Sequence, residues 1–220
     1  MRHPHGLRAA AAAAAGIPIG TSMEGGFFAG YISHTANGVA THALIVAPAA
    51  TGATGTGYTV TTNKEWKPTN TTTAGTTSTY NGAANTAAMV TAGIADHPAA
   101  QFCTGLSIGG YTDWYLPARD ELEIAYYNLK PTTDSNSTLF GINAYSVPAR
   151  GSNYTAGTPA QTTVTAFQTG NSEAFVADFH WSSTEGSPTI AWPLFFNFGF
   201  QYSNDKIDSN RVRAFRKLAL

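Results

Sequence analysis

The stretch Gly109-Gly110-Tyr111-Thr112-Asp113-Trp114-Tyr115-Leu116-Pro117-Ala118-Arg119-Asp120-Glu121-Leu122 constrains the chain more than any other. Asp120 and Glu121 follow a proline, a pattern that favours the start of a helix: proline pre-sets the backbone, and acidic groups complement the positive end of the peptide dipoles. Leu122, Ala125, Tyr126 and Leu129 then recur at helical spacing, and Lys130-Pro131 ends the run. Trp114 and Leu116 are placed to enter the core just before this helix.

Elsewhere the signals alternate between strand and loop. Gly26 to Ile32 and Ala43 to Ala47 are apolar runs around Asn37-Gly38, which reads as a hairpin. Residues 49–80 are dense in Thr and Gly, favouring loops and short strands. Asn81 to Ala95 carries Ala84, Ala88, Met89 and Ala92 at helical spacing, and His97-Pro98 restarts the chain as a short helix through Cys103. Pro131 to Thr169 again reads as loop, wrapping the surface. Phe179 to Ser183, Ala191 to Phe200 and Arg211 to Leu218 predict three or more antiparallel strands. The fold class is therefore α+β, with two or three helices, a mainly antiparallel twisted sheet and long loops.

Charge narrows the function. Twelve Lys plus Arg face 13 Asp plus Glu, and charged residues make up 11% of the chain, far below the ~25% of an average domain. No long-range field draws such a protein onto nucleic acid or anionic lipid. No run approaches the ~18 apolar residues of a membrane span, so no membrane insertion is expected. Arg2 and Arg8 before Ala9 to Ala15 imitate a signal peptide poorly, because alanine is a weak hydrophobe. Residues 1–22 read instead as an Ala-rich arm for anchoring or assembly, followed by a domain over 23–220.

Chemistry-bearing patterns are sparse. Cys103 is alone and flanked by apolar residues, so it reads as a core thiol. The six histidines lack metal-ligand spacing, apart from His3 and His5 in the arm. Ser182 and Ser183 lack a nucleophile-elbow motif, and no phosphate-cradling loop is present. The expectations are no catalysis, no metal and no cofactor.

Taken together, the segment from Gly109 to Leu122, then Trp181-Ser182-Ser183-Thr184-Glu185, then Arg211-Val212-Arg213-Ala214 resemble, in that order, the Lcl C-terminal domain family. The resemblance covers about residues 25 to 220. It implies a C-type-lectin-like fold of the kind found in phage tail-fibre proteins and a bacterial collagen-like adhesin. On this reading Trp114, Leu116, Pro117, Glu121, Leu122, Trp181, Ser182, Ser183, Thr184, Glu185, Arg211 and Arg213 are scaffold. Phe179 alternates inward with Trp181, and Arg211, Arg213 and Arg216 form the polar face of a closing strand. The calcium-binding tripeptides of sugar-binding lectins of this fold do not occur here. The enzymatic relatives of the fold work through cysteines that this chain lacks.

The resemblance also implies that residues 187–210 are exposed, as in related retroelement-diversified proteins. This stretch packs more rings than one core face needs, so some should reach solvent. Strand parity exposes either Phe196, Phe198 and Phe200 or Trp192, Phe195 and Gln201. The expected ligand-binding set is Trp192, Phe195, Asn197, Gln201, Tyr202, Asn204, Asp205 and Lys206, an aromatic platform edged by amides and charges that suits sugars. The corresponding function is a phage virion protein, a tail-fibre or receptor-binding module contacting a host-surface glycan or protein. It would be homo-oligomeric, with a trimer favoured, and joined to other virion proteins through the arm. Alternatives are a structural virion protein, such as a head decoration, head fibre or adaptor, and a secreted bacterial adhesin located outside the cell or at its surface.

Overall fold

The structure is a computed structural model and describes residues 16–220. Of the expected arm, residues 1–15 lie outside the described residues. Within them, Ile17 and Ile19 pack on the core, and Gly20 N–H donates to Phe28 O at 2.8 Å. The packed domain thus already includes Ile17, upstream of the expected boundary at residue 23.

The first sheet opens with β1 (Ser22–Met23), β2 (Gly26–Ile32) and β3 (His42–Val46), in which β2 and β3 form the expected antiparallel hairpin. A short helix, α1 (Ala49–Gly52), follows, then two-residue strands β4 (Ala53–Thr54) and β5 (Lys64–Glu65). Three helices come next: α2 (Gly82–Gly93), α3 (Pro98–Thr104) and α4 (Arg119–Leu129). The long loop carries β6 (Ser146–Val147), which pairs with β2. The last third supplies β7 (Phe179–Glu185), β8 (Ile190–Phe195), β9 (Phe200–Gln201), β10 (Asn204–Asp205), β11 (Ser209–Asn210), β12 (Val212–Arg213) and β13 (Phe215–Ala219).

These strands do not stay local. β13 returns to pair antiparallel with β3 from Phe215 opposite Val46 to Ala219 opposite His42, closing the sheet β1-β2-β3-β13 near the chain's beginning. β11 pairs β5 and β12 pairs β4. A second sheet has β8 at its centre, with β7 on one side and β9 and β10 on the other. The result is a mixed α/β fold of few helices and curled antiparallel sheet.

Helix α4 lies between the sheets, contacting β2, β7 and β8, and is buried on nearly all sides. Its apolar residues serve as expected, with Leu122, Ala125, Tyr126 and Leu129 fully buried. Its acids are buried as well. Glu121 accepts hydrogen bonds from Ala118 N–H (2.8 Å), Gly82 N–H (3.1 Å) and Tyr115 Oη–H (3.0 Å). Glu123 accepts from Asn143 Nδ2, Tyr154 Oη and the Arg150 guanidinium. Burial without partners would be prohibitive for a carboxylate, so these contacts pin the 82, 115 and 143–154 segments to the helix. The loop from Pro131 to Thr169 accordingly does more than wrap the surface: Asn136, Asn143, Tyr154 and Phe167 are buried.

Candidate functional site

Aromatic residues on β7, β8 and β9 meet in register. Phe179 on β7 faces Phe195 on β8, and Phe195 faces Phe200 on β9. Directly opposed residues of neighbouring strands share a face, so these three rings form one row. Ring centroids of Phe179 and Phe195 are 4.6 Å apart. Tyr202, two residues beyond Phe200, joins that face at 5.6 Å, and Phe198 leans onto Phe195 at 4.7 Å. The five rings line a shallow recess of about 330 Å³.

The turn between β8 and β9 decides which rings go outward. Residues 196–199 leave the strand, and Gly199 adopts φ +73°, a left-handed conformation that side-chain-bearing residues rarely take. A Cβ there would also lie 2.4 Å from Tyr126 Cε1. Phe196 is driven inward, fully buried and stacked on Phe175 with centroids 4.0 Å apart. Trp192, Phe195 and Gln201, one of the two expected sets, are all partly exposed, but the other set is split between surface and core. Phe195, Phe198 and Phe200 are partly exposed together, whereas Phe196 belongs to the core. Asn197 and Gly199 were the signals in the sequence that a turn interrupts Ala191 to Phe200.

The expected ligand set divides. Phe195 and Tyr202 line the recess, and Tyr202 is 49% exposed. Gln201 and Asn197 are half-buried at its margin, where Asn197 O accepts from Thr132 Oγ1 at 2.9 Å. Asn204 and Asp205 sit on β10 opposite Ala191 and Ile190, with Asp205 exposed. Trp192 is separate from the recess; its ring carries the Arg119 guanidinium at 5.4 Å. Lys206 leaves the set altogether. It is fully buried, bonded to Glu185 Oε1 at 2.5 Å and Thr71 O at 2.9 Å, and its ammonium lies 4.7 Å from the Trp66 ring centre. Phe179, Phe198 and Phe200 take places in the recess that were not in the expected set. Phe140 supports them, its ring 4.9 Å from that of Phe200.

Phe179 was expected to point inward with Trp181. It stands half-exposed because the strand's cover is uneven: Trp181, fully buried, donates to Lys64 O at 2.8 Å beneath the β5 segment, while no segment among the described residues covers Phe179 in the same way. The arginine strand is also corrected. Arg211, Arg213 and Arg216 do not form a solvent face; all three are buried and ion-paired, with Asp178, Glu173, and Asp113 plus Glu24 respectively.

The remaining scaffold residues are interior. Trp114, Leu116, Leu122, Ser182, Ser183 and Thr184 are buried, and Pro117 O accepts from Ser183 N–H at 2.7 Å. Glu185 accepts from Thr73 N–H at 3.2 Å and Thr76 Oγ1–H at 2.9 Å, tying the 73–76 loop to β7. His180 is buried with Nδ1 facing Asp178 O at 3.0 Å and Nε2 facing Tyr58 Oη at 2.6 Å. A carbonyl can only accept, so Nδ1 carries the proton and Nε2 accepts from tyrosine. Burial lowers its pKa to about 3, holding the ring neutral. Cys103 is buried, and desolvation pushes its thiol well above the ordinary range.

The recess is lined by four phenylalanine rings and the Tyr202 phenol. It is suited to holding an apolar group or the C–H face of a ring. Among the described residues no group of three or more His, Cys, Asp or Glu is placed to hold a metal, and no helix is long and apolar enough to cross a membrane.

The Lcl C-terminal domain model matches residues 59–216. The chain belongs to this family, a group of lectin-like or adhesin-like domains. The match begins after β3, later than the expected start near residue 25, and spans the α2 to α4 helices and the recess. A search of curated proteins finds no match.

Proposed function

We propose that this protein is a non-enzymatic adhesive module with a C-type-lectin-like fold, carried on a bacteriophage particle as a tail-fibre or receptor-binding component. In this reading the phenylalanine row contacts a ligand on the host surface, and residues 1–15 join the module to other virion proteins. The observation that carries it is the row itself. Five rings stand together at the surface of a domain that keeps Arg211, Arg213 and Arg216 inside. Contiguous exposed rings of this kind mark contact surfaces, because burying them on a partner returns the free energy that exposure withholds. Trimeric display would raise a weak single-site affinity by avidity.

Labelled full chain, applied to a panel of bacterial strains and read by flow cytometry, tests the proposal. Binding to a subset of strains is expected, abolished in Phe195→Ser/Phe198→Ser and retained in Trp192→Ala. Undiminished attachment by the double variant, or measured turnover of a surface polysaccharide, overturns it.

A further inference from the structure

Beside the recess, on the far side of Tyr154, lies a second concavity of different chemistry. It measures about 260 Å³ and is lined by Tyr127, Arg150, Ser152, Asn153, Tyr154 and Thr155, with Thr158 at its edge. We infer that this concavity is a subsite for a neutral saccharide, formed by hydroxyl and amide groups of the 150–158 loop around the Arg150 guanidinium.

The loop is held in shape before any ligand arrives. Arg150 N–H donates to Asn143 O at 3.0 Å and Asn143 N–H to Arg150 O at 2.9 Å, while Thr155 and Thr158 bridge each other across the tip. The Arg150 guanidinium is fixed twice over, lying 4.1 Å from the centre of the Tyr127 ring and bonded to buried Glu123. Tyr154, also bonded to Glu123, forms the wall. Such prior ordering removes much of the entropic cost of binding.

The electrostatics select the ligand class. The charge of Arg150 is matched by Glu123, so an anion gains little net attraction there. The remaining polar lining is Ser152, Asn153, Thr155 and Thr158, all exposed and uncharged. The side chains of Ser152 and Asn153 make no hydrogen bond within the described residues, so their hydroxyl and amide are available to a partner. Hydroxyls and amides both donate and accept, the pattern that sugar hydroxyls complement. The volume falls below the ~300–1,000 Å³ of sites for drug-sized ligands, which limits it to a pyranose-sized ring.

The pocket also adjoins the phenylalanine row. A Cβ on Gly199 would lie 2.8 Å from Tyr154 Cε2, and Tyr154 N–H donates to Phe140 O at 2.6 Å, where Phe140 packs on Phe200. The saccharide assignment stands independently of the proposed role of that row.

The test is an array of neutral oligosaccharides, with sialylated and sulfated ones beside them, probed with labelled full chain. At least one neutral saccharide should bind. Ser152→Ala/Asn153→Ala should weaken it roughly tenfold, the effect of losing one or two hydrogen bonds. The thermal midpoint should stay unchanged, and Phe195→Ser/Phe198→Ser should leave saccharide affinity intact. Binding confined to charged glycans, no neutral binding, or neutral binding indifferent to the loop variant each overturns the inference. Loss in the phenylalanine variant alone would overturn it too, placing the sugar in the recess.

Discussion

The carboxylates of Glu121, Glu123 and Glu185 lie in the interior, while the rings of Phe179, Phe195, Phe198 and Phe200 reach the surface. The contrast reverses the usual placement of charge and apolar area. It shows where each group is used. Long loops have little regular ladder to satisfy their amides, and a buried carboxylate can accept several donors from different segments at once. The rings, by contrast, gather on a face of β7, β8 and β9 that the described residues leave partly exposed. One region is specified by hydrogen bonding and tolerates little change; the other is a surface whose substitution should cost binding and leave folding alone.

The largest effect is expected inside. Lys206→Met leaves Glu185 charged and unpaired among buried neighbours, and breaking such a pair costs about 3–5 kcal/mol. Denaturant unfolding should show that loss, and adding Glu185→Gln, which removes the charge and keeps an acceptor for Thr73 and Thr76, should restore part of it. If Lys206→Met unfolds at the wild-type midpoint, the interior is less constrained than these contacts require.

A pH titration sharpens the same point. His180 has a folded-state pKa of about 3, below its unfolded value near 6.5, so its contribution is present above pH 6.5 and is lost as pH falls toward 3. Glu121, pushed up to about 7 by burial, acts oppositely: its contribution is present below the ordinary carboxylate value and is lost as pH rises through 7. Comparing wild type with His180→Gln cancels the Glu121 effect. Thermal midpoints should fall more steeply in wild type than in the variant between pH 6.5 and 4, and parallel curves would contradict the neutral, tyrosine-bonded ring.

At the surface the stability effect should be small. Phe198→Ser removes a half-exposed ring and should change unfolding free energy by about 1 kcal/mol or less. A loss as large as that of Lys206→Met would make the row part of the core and erase the comparison. The smallest change is expected from thiol chemistry: native protein should not react with maleimide at Cys103, whereas denaturant should make labelling complete.

Much of the local structure was legible in the sequence. The α4 helix could be read from Pro117, its acids and its apolar stripe, and the β2–β3 hairpin from Asn37-Gly38, because both depend on periodicity and turn chemistry within a few residues. The burial of Trp114 and Trp181 followed from the family motifs. The candidate site was legible only in part: Phe195 and Tyr202 were foreseen, while Phe179, Phe198 and Phe200 required knowing that Gly199 turns the chain against Tyr126. Lys206 and the arginines were misplaced because a charge's preference for water is a property of the isolated residue. Ion pairing reverses that preference only when a partner from another segment is brought within bonding distance.

Sequence alone determined the inventory: two or three helices, a set of short strands, few charges and a surplus of rings. Tertiary structure decided which charges found partners and which rings found covers. The physical reason is that burial and pairing depend on segments distant in sequence, such as Glu185 with Lys206 and residue 73, or β13 with β3. No local pattern encodes the distance between them.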